Sequence, residues 1–201
     1  MKKTLLFLFI LVNTNLVLSQ TFNYNGINYQ VIDPTNFYVR VGTNPSFSGV
    51  ANIPETVNYS SQNYTVKEIG YEAFRGCSGL TSVTIPNSVT YINSYAFHTC
   101  TGLTAITIPN SVTILGIASF YGCTGLTTLN IPSSITTIDD FAFVGCTGLT
   151  SLSFPSPGPS INYCTFSGCT GLTSLNLTSS VGASSFSGCT GLASVTINTP
   201  G

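Results

Sequence analysis

The sequence predicts a mainly β solenoid of about six stacked 23-residue coils, with short strands forming a parallel sheet and short helical turns between them. Three columns of residues predict it. Cysteines stand at 77, 100, 123, 146 and 169, each 23 residues after the last, and Cys189 follows after 20. Phe74, Phe97, Phe120, Phe143, Phe166 and Phe186 precede them by three residues, and Leu80, Leu103, Leu126, Leu149, Leu172 and Leu192 follow by three. The unit reads C-[ST]-G-L-T-x-[VIL]-x-[IFL]-P-x-S-[VI]-T-x-I-x-x-x-[AS]-F-x-G. One such coil holds too few apolar side chains to offset the entropy of ordering its backbone, so stacking must supply the difference.

Taken in chain order, residues 1–19 read as a signal peptide. Lys2 and Lys3 give the positive start, Leu5 to Val12 an apolar run too short to span a bilayer, and Val17 and Ser19 the small residues before a cleavage site. Cleavage is expected after Ser19 or Gln20, and no second stretch of the chain suits membrane insertion. Residues 20–76 read as an N-terminal cap with the first half-repeats. "FNYNGINYQVI" is two β-favouring runs around Asn25-Gly26, a strong hairpin signal. "GVANIPETV" matches the strand-proline half of a repeat, and "YTVKEIGYEAF" completes that coil after a polar insertion at Asn58 to Asn63.

Residues 77–201 hold the regular repeats. Leu103, Ile106 and Ile108 surround Ala105 and Thr107 in the alternation of a half-buried strand. Pro109 stops the ladder because it has no N–H to donate. The column Ile92, Leu115, Ile138 marks a second short strand or bend, and "SYAF" or "DFAF" a helical turn. Gly102, Gly125, Gly148 and Gly171 are expected in a tight turn at positive φ. At the far end "SVTINTPG" stops in mid-repeat, so the expectation is a shortened chain or a strand edge open to self-association.

Charge is scarce. The mature chain carries about −3, and beyond residue 76 its only formal charges are Asp139 and Asp140. Nucleic-acid binding needs several Lys or Arg facing phosphates, and a polybasic membrane patch needs a cluster of them. Neither can be assembled here. Hydrophobic residues recurring on a strict schedule also exclude disorder.

Catalysis has little to draw on, and the chain is expected not to be an enzyme and to need no cofactor. His98 is the only histidine, read as exposed on an outer turn and nearly two coils from Asp139. Asp139 and Asp140 are adjacent, which usually turns carboxylates apart, so they read as a solvated turn. No C-x-x-C occurs, so no metal site is expected. Equivalent cysteines of stacked coils would lie about 4.8 Å apart with parallel Cβ vectors, wider than a disulfide prefers. Cys77, Cys100, Cys123, Cys146, Cys169 and Cys189 therefore read as a structural ladder of buried free thiols. Cys164 lies off that beat, in the column of Glu72, Tyr95, Ala118, Phe141 and Ser184, and reads as a free thiol as well.

The outward strand positions make the candidate binding face. One column is Ser82, Ala105, Thr128, Ser151, Ser174 and Ser194; the other is Thr84, Thr107, Asn130, Ser153, Asn176 and Thr196. This uncharged array of hydroxyls and amides suits a neutral polar partner, a glycan or a protein loop, through many modest hydrogen bonds. The alternatives are a structural repeat without a ligand and, because Thr and Ser recur, an ice-binding flat β face. "AFHTCTGLTAITIPNSVTIL" and its neighbours resemble BspA-like leucine-rich repeats over about residues 50 to 201. The resemblance implies a leucine-rich-repeat solenoid, a secreted or cell-surface location and a role in adhesion or interaction. It also implies that the cysteine after each phenylalanine occupies a corner buried against neighbouring backbone. "SPGPSIN" at 156–162 and a three-residue deletion before Val181 depart from its pattern.

Overall fold

The computed structural model describes residues 20–178 and 180–197; the leader read at 1–19 and the last four residues lie outside that range. Sixteen strands follow one another, and no helix occurs among the described residues. The N-terminal part comprises β1 (Thr21–Tyr24), β2 (Ile27–Asp33), β3 (Tyr38–Val41), β4 (Gly49–Asn52), β5 (Thr56–Tyr59) and β6 (Gln62–Ile69). β1 and β2 pair antiparallel across Asn25 and Gly26, whose φ angles of 51° and 82° are those of a type I′ turn. β5 and β6 form a second hairpin across Ser60 and Ser61, so the polar insertion folds back on itself.

Two kinds of strand then alternate. The leucine strands are β7 (Leu80–Thr84), β9 (Ala105–Ile106), β11 (Thr128–Asn130), β13 (Ser151–Ser153), β15 (Ser174–Leu177) and β16 (Ser194–Ile197). The second strands are β8 (Tyr91–Ile92), β10 (Ile114–Leu115), β12 (Thr137–Ile138) and β14 (Ser160–Ile161). The architecture is the solenoid expected from the period, but the continuous sheet is carried by the second strands and not by the leucine strands. One sheet runs β1-β2-β3-β6-β8-β10-β12-β14, with β5 beside β6. The leucine strands instead form three separate ladders, β4-β7-β9, β11-β13 and β15-β16.

The reason is ladder length. Pro86, Pro109, Pro132 and Pro155 close the leucine strands, which leaves room for only a few bonds between coils. Across the first break Thr127 N–H still donates to Thr104 O at 3.2 Å, and across the second Thr173 N–H reaches Thr150 O at 3.5 Å. On the other wall the second strands run on into turns that also bond from coil to coil. Tyr95, Phe97 and Thr99 N–H donate to Ile117, Ser119 and Tyr121 O at 2.7–2.9 Å.

Those turns replace the helical turns that "SYAF" and "DFAF" led one to expect. Glu72, Tyr95, Ala118, Phe141, Cys164 and Ser184 all have φ between 51° and 61°, which interrupts any right-handed helix. Alternate residues close four-residue turns, as Cys100 N–H does to Phe97 O at 3.1 Å, while those between them bond to the next coil. The expectation for Gly102, Gly125, Gly148 and Gly171 also needs correction, because the positive-φ glycines of the repeats are those just before a cysteine: Gly76, Gly122, Gly145, Gly168 and Gly188. A Cβ on Gly125 would stand 2.4 Å from Thr101 O. Glycine is required at that column by the closeness of the neighbouring coil's backbone.

Inside, the columns become stacks. Phe74, Phe97, Phe120, Phe143, Phe166 and Phe186 lie with ring centroids 5.1–5.5 Å apart and planes within 15° of parallel. Leu80, Leu103, Leu126, Leu149 and Leu172 are fully buried beside them. Each coil thus seals the apolar interior of the last.

Candidate functional site: the strand face

Alternation along each leucine strand sends one side chain in and two out. Val83, Ile106, Leu129, Leu152 and Leu175 point inward and are buried, each flanked by the two polar columns. Ser82 is half-buried, and the other eleven residues of the columns are exposed. Register sets Ser82 beside Ala105, Thr128 beside Ser151, Asn130 beside Ser153, Ser174 beside Ser194 and Asn176 beside Thr196. Some polar groups bond laterally: Thr84 Oγ1 donates to Asn52 Oδ1 and Ser153 Oγ to Asn130 Oδ1, both at 3.3 Å. The neighbouring threonine column is committed to the scaffold, since Thr127 and Thr150 Oγ1 donate to the backbone of the preceding coil at 3.3 and 3.2 Å.

The two columns are not equivalent. Thr107, Asn130 and Ser153 border a groove of about 610 Å³, whereas the column beginning at Ser82 stays on the open face. The opposite bank is the proline turn, where Asn87, Asn110 and Ser133 stand exposed beside Pro109, Pro132 and Phe154. The sequence reading used the proline only as the end of each strand and passed over the amides and hydroxyls that follow it. Their signal was present in the recurring Asn or Ser after each proline.

The sequence profile described as the BspA type leucine rich repeat region matches residues 67–193 in six copies, more than half of the chain. The chain belongs to the BspA-type leucine-rich-repeat family. Solved structures agree. A leucine-rich repeat protein from Bacteroides ovatus superposes with a TM-score of 0.66 at 28% identity, over 87% of this chain and 52% of that one. A leucine rich cell surface protein from Faecalibacterium prausnitzii gives 0.65 at 24%, covering 90% and 55%. A leucine rich repeat protein from T. pallidum gives 0.67 at 22%, covering 86% and 91%. The chain thus spans about half the length of the first two. Among curated proteins none matches. Leucine-rich-repeat families are in general binding scaffolds without enzymatic activity.

In the BspA-type unit the cysteine ladder sits at the corner after each phenylalanine. Cys100, Cys123, Cys146, Cys169 and Cys189 Sγ donate to Phe74, Phe97, Phe120, Phe143 and Phe166 O at 3.0–3.2 Å, and Cys77 Sγ to Asn44 O at 3.0 Å. All six are buried free thiols, while Cys164 is half-buried and also free. Burial pushes the Cys123 and Cys169 thiols up to about 12. His98 is not on an exposed turn as expected. It is half-buried and stacked on Tyr121 at 4.9 Å, with Nδ1 covered and unpaired. Burial, with Arg75 nearby, lowers its pKa. Asp139 is half-buried too; Asn162 Nδ2 donates to it at 3.3 Å, and burial with the charge of Asp140 raises its pKa. Among the described residues no cluster of His, Cys, Asp and Glu could hold a metal ion.

Proposed function

We propose that this BspA-type repeat protein is a secreted or cell-surface binding module that engages a protein or glycan through its strand face, without catalysis. The observation that carries the reading is the meeting of an exposed, uncharged column (Thr107, Asn130, Ser153) with the amide-bearing proline turns along one groove. Such a wall is rigid, so its donors and acceptors are ordered before a ligand arrives, which lowers the entropy cost of binding. Family membership supports interaction over chemistry. A surface location is supported by the cell surface protein that it resembles and by the signal-like leader; among the described residues no helix is long and apolar enough to cross a membrane.

A glycan and host-protein binding screen supplies the ligand, and Thr107→Glu with Asn130→Glu tests the face. Binding should be abolished, with unchanged circular dichroism, because both residues are exposed and two carboxylates would meet a neutral partner. Unchanged affinity would sink the proposal, whereas thermal hysteresis in the purified protein would favour an ice-binding face. Self-association through the edge of β16 is a companion proposal. Val195 there is 48% exposed, while its equivalents in β7, β9, β11, β13 and β15 are at most 8%. Light scattering across a dilution series would show a concentration-dependent mass if it operates.

A further inference from the structure

The turn wall carries a second surface that the polar strand face does not explain. Tyr71 lies edge-on to Tyr95 at 5.8 Å, Tyr95 touches His98 at 5.6 Å, and His98 stacks on Tyr121 at 4.9 Å. On the neighbouring coils Phe141 meets Tyr163 edge-on at 5.6 Å. The coils of Ile117 and Asp140 are joined by Ala118 N–H donating to Asp140 O at 3.0 Å. Tyr71, Ile117, Tyr121, Phe141 and Tyr163 are all exposed, up to 52% for Tyr71. Exposed apolar residues gathered in this way mark interaction sites, and tyrosines at such sites offer rigid contact area.

Two observations say what the surface fits. The first is backbone strain. Tyr95 and Phe141 have φ of 59° and 61°, a left-handed region that strains a side-chain-bearing residue and that glycine would occupy freely. The same φ recurs at Glu72, Ala118, Cys164 and Ser184, so the backbone position belongs to the repeat, and what is particular to this coil is the exposed Phe141 ring placed on it. The second is charge. Asp139 and Asp140 are the only formal charges beyond residue 76, and Asp140 lies beside the exposed Phe141. Asp140 Oδ1 accepts the Tyr163 N–H at 3.0 Å. Among the described residues no cation neutralises this pair: the single ion pair is Arg75 with Glu72, and Lys67 Nζ lies over the Tyr38 ring at 5.0 Å.

From these we propose that the turn wall around Asp140, Phe141 and Tyr163 docks a basic protein segment. Lys or Arg side chains would lie over the tyrosine and phenylalanine rings while their charged heads meet the Asp140 carboxylate. The neutral strand face has neither feature, so the two surfaces take chemically different partners, and this proposal stands independently of the first.

The test is fluorescence anisotropy of the full mature protein with a labelled oligo-arginine peptide. Asp140→Asn keeps the oxygen that accepts the Tyr163 N–H, and Tyr163→Ser leaves the net charge unchanged. Each should weaken binding by about tenfold, and Thr107→Glu with Asn130→Glu should not weaken it. Loss with Asp140→Asn but not with Tyr163→Ser would reduce the effect to general attraction by an acidic protein and overturn the proposal. Full binding by both variants would overturn it equally. So would a neutral oligosaccharide whose binding is lost in Tyr163→Ser, or a dimer in light scattering that Tyr163→Ser dissolves. These would assign the wall to a glycan or to a second copy.

Discussion

Cys123 shows what a single position does in this molecule. Its thiol donates to Phe97 O at 3.1 Å, and its pKa is pushed up to about 12 because the thiolate would be buried. A maleimide at pH 8 should therefore label the native protein at Cys164 alone, and all seven cysteines after denaturation. Ladder labelling in the folded state would show that the corner is open. The raised folded-state pKa also has a consequence for stability. The contribution is complete below the unfolded thiol's value of about 8.5 and is lost as pH rises from there toward the folded value. The unfolding midpoint in urea should accordingly fall between pH 8 and pH 10. Glycines give a sharper contrast. Gly125→Ala places a Cβ 2.4 Å from Thr101 O, whereas Gly145, at φ 69°, has nothing nearer than Gly122 Cα at 4.0 Å. Gly125→Ala should cost about 1–3 kcal/mol by overpacking, and Gly145→Ala about 1 kcal/mol of backbone strain. Urea unfolding would rank them, and the reverse order would contradict the close-approach account.

Among the elements, the strands were easier to read than the turns between them. Ile106 between Ala105 and Thr107 displays its alternation directly, and proline marks where the strand stops. "DFAF" carries no such mark, because the sign of φ at Phe141 depends on which carbonyls the next coil offers. Asp139, in that turn, supports a prediction about pH. Its raised pKa means that the carboxyl holds its proton more tightly in the folded state than in the unfolded chain. Its stabilising contribution is present below the unfolded value of about 3.9 and is lost as pH rises through the folded one. Asp139→Asn keeps an acceptor for Asn162 Nδ2 and removes that loss. Thermal unfolding should show the variant more stable than the parent at pH 7 and nearly equal at pH 3. Equal midpoints at both would mean that Asp139 is fully solvated. Phe120, fully buried between Phe97 and Phe143 at 5.1 Å on each side, belongs to the other class of element. Phe120→Ala should cost about 3–5 kcal/mol, since a packed stack cannot collapse around the void.

The molecule as a whole is a stack in which each coil meets only its neighbours, so its stability is nearly a sum of coils and interfaces. Removing residues 101–123, one full 23-residue period, joins Cys100 to Thr124 in register. The shortened protein should still unfold cooperatively, with a smaller urea m-value because less surface is exposed on unfolding. A deletion of half a period should fail to fold, and survival of that chain would show that coil register matters little. The period, the inward columns and the polar strand face were all legible in the sequence, because each follows from a local repeat of residue types and spacing. Four things were not: which wall carries the unbroken sheet, the φ of the turn residues, the groove beside the prolines, and the aromatic and acidic turn wall. Each of these depends on backbone groups of one coil meeting those of the next. Those meetings join residues 19 to 26 positions apart, and only the stacked chain brings them together.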